Sequence, residues 1–113
     1  MTTDHPTAPP DSRATSEATI QVSSPGPKVI RIEVAGEIDI TNVADLAAAL
    51  RQAAHARPER LEVDLSGVTF LGCAGVRPLR AAQRMTPSLV VLDAPDATRR
   101  LLSLADLPLS PRR

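Results

Sequence analysis

Between Leu61 and Met85 the sequence changes its hydrophobic period once, and abruptly. Leu61-Glu62-Val63-Asp64-Leu65 alternates apolar with acidic residues in the manner of a half-buried strand. Ser66-Gly67 breaks that run, and Val68-Thr69-Phe70-Leu71 returns to apolar contact with a core. Gly72-Cys73-Ala74-Gly75 follows, all residues small enough for a tight turn and for close approach by another molecule. Beyond it the spacing is helical: Val76, Leu79 and Ala82 share one side, Arg77, Arg80 and Arg84 another. A strand, a small-residue turn and a helix N-terminus bring unpaired backbone N–H groups to one exposed point. Function is expected there.

The remaining elements fit around this unit. Residues 1–18 carry Pro6, Pro9 and Pro10 among many Ser, Thr and Asp, and cannot bury enough apolar surface to offset the entropy of ordering, so a disordered arm is expected. Thr19 to Val22 reads as a short strand and Ser23-Ser24-Pro25-Gly26-Pro27 as a turn cluster. Val29 to Ala35 is a second strand, with Ile30, Ile32 and Val34 alternating against Arg31 and Glu33. Gly36-Glu37-Ile38-Asp39-Ile40 leads into a helix capped by Thr41 or Asn42, with Asp45 in its first turn. Val43, Leu46, Ala47, Leu50 and Ala54 keep helical spacing, and Pro58 helps end the element.

Arg60 to Leu65 is the third strand, Thr86-Pro87 ends the second helix, and Leu89 to Leu92 is a fourth strand, apolar enough to be covered on both faces. Pro95 suits the first position of a third helix, whose apolar side is Thr98, Leu101, Leu102 and Ala105. The order β-β-α-β-α-β-α is α/β: a mixed, largely parallel sheet of four to five strands with helices packed on it, the first hairpin forming a mixed edge. One domain over 19–107 is expected, followed by a short flexible tail over 108–113.

Composition removes whole classes of function. Lys plus Arg and Asp plus Glu stand at 13 each, so no bulk field attracts nucleic acid. Phe70 is the sole aromatic, which argues against base-stacking platforms and aromatic cages. Cys73 is the sole cysteine, so no internal disulfide can form. His5 and His55 are the only histidines and suggest no zinc cluster. Neither a secretory signal nor a membrane-spanning run is read in the sequence, so a cytoplasmic protein without direct membrane insertion is expected. No nucleophile–base pair, phosphate-cradling loop or metal ligand set is visible, and neither catalysis nor a cofactor is expected.

Taken together, several segments resemble the STAS domain, typified by bacterial anti-sigma factor antagonists. They are Gly36-Glu37-Ile38-Asp39, Val63-Asp64-Leu65-Ser66-Gly67-Val68-Thr69-Phe70-Leu71, Ala74-Gly75-Val76, and the run from Arg99 to Leu107. The resemblance covers about Ile20 to Leu107. It implies a partner: an anti-sigma factor that is also a serine kinase with a histidine-kinase-like ATPase fold. In the family that kinase phosphorylates a Ser or Thr opening the second helix, and the added charge of about −1.5 to −2 breaks the complex. The family usually reads Asp-Ser-Ser-Gly or Asp-Ser-Thr-Gly where this chain has Gly72, Cys73, Ala74 and Gly75. Ala74 stands at the acceptor position and has no hydroxyl. Pro78 is a second departure, at a position where the family has an apolar helix former.

The resemblance implies partner contact through Asp39, Thr41, Gly72, Cys73, Ala74, Gly75, Val76, Arg77, Arg80 and Arg84, and a monomer or weak dimer. Each has a plainer reading. Asp39 can be a loop or capping acid, and the three arginines a solvated face. Ala74 marks either an antagonist always competent to bind or a fold kept for packing or for another partner. An adaptor subunit of a stress-sensing assembly or of a lipid ABC transporter is the alternative function. A redox sensor using the Cys73 thiol is the third.

Overall fold

The computed structural model describes residues 12–14 and 18–110. In chain order the elements are β1 (Ser12–Ala14), β2 (Ala18–Gly26), β3 (Val29–Ile38), α1 (Val43–His55), β4 (Arg60–Leu71), α2 (Val76–Met85), β5 (Leu89–Asp93) and α3 (Asp96–Leu104). A 3₁₀ turn, Cys73–Gly75, precedes α2. The sheet order is β1-β2-β3-β4-β5. β1, β2 and β3 pair antiparallel, whereas β3, β4 and β5 run parallel. Parallel neighbours need crossovers, and α1 and α2 supply them.

Alternation along the strands decides which face is covered. Ile32 and Val34 of β3 and Leu61, Val63 and Leu65 of β4 are buried with Leu46 and Leu50 of α1 and Leu79 of α2 in one aliphatic core. The intervening residues Arg31, Glu33 and Asp64 form the opposite, polar face. On that face the Glu62 carboxylate is clamped between Arg31 (Nε to Oε1, 2.9 Å) and Arg60 (Nε to Oε2, 2.8 Å).

The α/β architecture and its mixed sheet agree with expectation, but several elements differ in extent. Ser12–Ala14, expected in a disordered arm, is a strand paired with residues 19–21 of β2; the rest of residues 1–17 lies outside the described residues. β2 continues through Ser23, Ser24 and Pro25, so the hairpin turns at Pro27-Lys28, where Lys28 takes φ 62. Leu89 and Val91 are buried, but Val90 and Leu92 are half-buried, so β5 is fully covered on one face only. Pro108–Ser110, read as tail, bonds to β5: Val91 N–H donates to the Pro108 carbonyl and Ser110 N–H to the Val91 carbonyl. Pro95 precedes α3 rather than opening it.

The largest difference is β4. Ser66-Gly67 does not end the strand; it is taken in by a bulge. Glu33 pairs with Asp64 but Ala35 with Gly67, so β4 advances one residue more than β3. Gly67 is required there, because a Cβ on it would lie 2.9 Å from the Ala35 Cβ. The same shift recurs between Gly36↔Val68 and Glu37↔Phe70, where Gly36 has φ 96. Each extra residue flips the phase of the alternation. The buried positions therefore run Leu61, Val63, Leu65, then Val68, then Leu71, and Phe70, expected in the core, faces outward with 53% exposure.

Candidate partner-binding surface

Two loops meet where parallel strands β3 and β4 end. The first, Asp39 to Asn42, joins β3 to α1; the second, Gly72 to Gly75, joins β4 to α2. They are tied together by Gly72 N–H, which donates to the Ile38 carbonyl at 3.3 Å. The bulges in β4 set this geometry, because they bring Leu71 inward opposite Ile38 and leave the turn to emerge beside the first loop.

The first loop is built by Asn42, and not as a helix cap. Its side chain makes no cap bond to α1. Instead Nδ2 donates to the Glu37 carbonyl at 2.8 Å and Oδ1 accepts from Asp39 N–H at 3.0 Å. With only 3% exposure, Asn42 is an internal latch that closes the loop on itself. Asp39 then holds Thr41, its Oδ1 accepting from the Thr41 hydroxyl at 2.6 Å and the Thr41 amide at 2.9 Å. Ile40 between them is left 82% exposed.

Asn42→Ala removes both side-chain bonds of the buried latch residue. It is expected to cost about 1–3 kcal/mol in urea denaturation. Asn42→Asp keeps the acceptor for Asp39 N–H but loses the donor to Glu37, and should fall between Asn42→Ala and the parent.

The carboxyl of Asp39 is held below its ordinary value of 3.8, first by the Thr41 hydroxyl and then by the Thr41 amide. A depressed acid favours the folded loop above its ordinary value, and that contribution disappears as pH falls through the lowered one. The Thr41 amide resonance is therefore expected to hold its native shift to more acid pH than an unperturbed aspartate would allow, and to move only as Asp39 takes up its proton. In Thr41→Val the Asp39 titration should shift upward.

The second loop is set by packing. A Cβ on Gly75 would collide with the Leu71 side chain, so any larger residue here must displace buried Leu71. Cys73 and Ala74 project from the turn and are exposed, with Gly72 and Val76 half-buried beside them. No side chain caps the turn or α2. Pro78 is the third residue of α2, where its missing N–H falls among the donors that have no partner inside the helix. It sits inside the first turn, one turn earlier than a break would require. Arg77, Arg80 and Arg84 lie exposed along the crest of α2.

Of the expected site residues, Asp39 and Thr41 thus share one loop, Gly72 to Val76 the loop tied to it, and the arginines the helix that follows. Sequence reasoning missed Ile40 and Phe70, exposed apolar side chains in the loop after β3 and near the end of β4. Ile40 was legible as an apolar residue between Asp39 and Thr41 in a loop. Phe70 was not, since its direction depends on the bulges. Among the described residues no three His, Cys, Asp or Glu cluster as metal ligands, and no helix is long and apolar enough to cross a membrane.

A family profile described as "Mlab, STAS domain" matches residues 20–108. This chain belongs to the STAS domain family. Among solved structures, the STAS domain is similar to an anti-sigma factor antagonist from Mycobacterium paratuberculosis, at 30% identity and TM-score 0.75, over 94% of this chain and 92% of that one. It also shares its fold with the unphosphorylated anti-sigma factor antagonist SpoIIAA, at 15% identity and TM-score 0.71, over 83% of this chain and 88% of that one. The phosphorylated form of SpoIIAA from Bacillus aligns at 15% identity with TM-score 0.68, over 83% and 91% of the two chains. No curated protein matches the sequence.

Proposed function

We propose that this STAS domain is a regulatory binding protein that captures an anti-sigma factor with a histidine-kinase-like ATPase fold, and does so without a phosphoryl switch at the α2 turn. The observation that carries the reading is Ala74, exposed on the 3₁₀ turn beside the Asp39–Thr41 loop and lacking a hydroxyl. A kinase docked on the surface from residue 72 to residue 84 meets no acceptor there. Ile40 and Phe70 add apolar area to that contact, and Arg77, Arg80 and Arg84 favour an acidic partner face. The protein acts as a binding module and not as an enzyme, in the cytoplasm, as a monomer or weak dimer.

The test is a titration against anti-sigma kinases of the same genome, with ADP and then with ATP over hours. Tight binding that outlasts ATP is the expected result. Binding to none of them overturns the reading and favours the second one, an adaptor subunit of a stress-sensing assembly or lipid ABC transporter. That alternative draws on the same Ala74, because a fixed subunit has no use for a switch. Cys73 is exposed, but no second cysteine exists to pair with it, and the redox reading gains no further support.

A further inference from the structure

A groove runs along the seam between α1 and α2, on the flank of α2 away from the arginine crest. Its upper part is walled by Ala47, Leu50, Pro78, Ala81 and Met85. Met85, 46% exposed, also borders a wider hollow of about 510 Å³ at the C-terminal ends of both helices. The floor there is Ala54, Pro58, Thr86 and Pro87. Every charged or titratable side chain lining the two parts is basic: Arg51, His55 and Arg57. Glu59, next to Pro58, is paired with Lys28 at 3.7 Å. In a chain whose charges balance at 13 to 13, this is a segregation; the carboxylates of Glu33, Glu62 and Asp64 lie on the opposite face of the sheet.

We propose that this seam is a docking groove for an acidic amphipathic helix of a partner protein, on the flank of α2 that faces α1, adjoining but not including the loops and arginine crest to which the anti-sigma reading was assigned. Three features carry it. The walls are small and apolar, so a helix can approach closely and seat its apolar stripe against Ala47, Ala81 and Met85. The rim is basic on the α1 side and continues at the foot of the groove, which selects carboxylates on the flanks of the incoming helix. The 13 residues of α1 give a seam of about 20 Å, room for three to four turns. The chain's own first eleven residues do not match this description in sequence, since they carry Pro6, Pro9 and Pro10 and no Leu, Ile, Val or Phe.

The experiment titrates the full-length, isotope-labelled chain with a helical peptide of about fourteen residues, leucines at helical spacing flanked by glutamates. Amide shifts confined to α1, α2 and residues 85–88 are expected. Binding should weaken at least about tenfold for the glutamine-flanked peptide or for Arg51→Glu, while a lysine-flanked peptide should bind Arg51→Glu better than the parent. Ala47→Glu, which fills the groove from a half-buried position, provides a second variant should Arg51→Glu fold poorly. Equal binding of glutamine and glutamate peptides, shifts on the polar sheet face, or no shifts up to about 1 mM peptide overturn the proposal. So does a dimer that Ala47→Glu dissociates, or binding to anionic vesicles that the glutamate peptide does not displace. Since no anti-sigma kinase is present, failure here leaves the reading of the loop surface untouched, and failure of that reading leaves this one standing.

Discussion

Leu79→Ala is expected to lower the stability of the domain by about 2–5 kcal/mol and, with it, to weaken partner binding beyond what the loss of folded protein explains. Leu79 has 0% exposure and is the only large side chain that α2 buries fully; Ala82 is the helix's other buried residue. The site and the core therefore share one anchor. Removing it leaves a cavity between α2 and the sheet and frees the helix that displays Arg77, Arg80 and Arg84. The shift in Tm should exceed about 8 °C for a domain of this size. The check pairs thermal denaturation with a binding titration well below the new Tm. Leu102→Ala serves as the control: Leu102 is equally buried, but on α3, which carries none of the expected site residues. It should cost similar stability while leaving affinity unchanged. Equal affinity loss in the two variants would mean that the arginine crest does not touch the partner.

Periodicity in the sequence sufficed for the α/β architecture because most elements obey one period for their whole length. Leu46, Leu50 and Ala54 hold helical spacing, and Ile32 and Val34 hold the strand alternation, so each declares its buried side. The reading failed where a local rule competes with tertiary pairing. Ser66-Gly67 has the chemistry of a turn, yet the pairing of β3 with β4 carries the strand past it, at the cost of bulges that redirect Phe70. Asn42 has the chemistry of a helix cap, yet its side chain turns back to the Glu37 carbonyl and the Asp39 N–H, a local side-chain-to-backbone pairing that competes with capping. In both cases the residue type was right for the neighbourhood and silent about its partner. The residues of the two loops could be named from the sequence, but their union through Gly72 and Ile38 is a property of the parallel sheet alone. The groove between α1 and α2 was hidden for a further reason: alanines at positions 47, 54 and 81 read equally as core or as surface.

Ala74 offers the sharpest functional test because a single atom or a single charge can be placed on an exposed turn with little effect on the core. Ala74→Ser adds one hydroxyl at the start of α2, on a residue the structure leaves exposed and uncapped. If the loop surface binds an anti-sigma kinase, the variant should bind with ADP as the parent does, then lose its partner in ATP as phosphoserine accumulates. The parent should keep its partner throughout. Ala74→Glu should weaken binding by about 100-fold or more without ATP, since a fixed negative charge is driven into a close-packed contact. Urea denaturation of both variants should lie within about 0.5 kcal/mol of the parent, as for other exposed substitutions. Intact-mass measurement closes the argument. A phosphoryl group that appears in Ala74→Ser but not in the parent assigns the loss of the switch to residue 74. The same modification in both would show that the kinase reaches another hydroxyl, and that Ala74 does not fix the domain in its binding form.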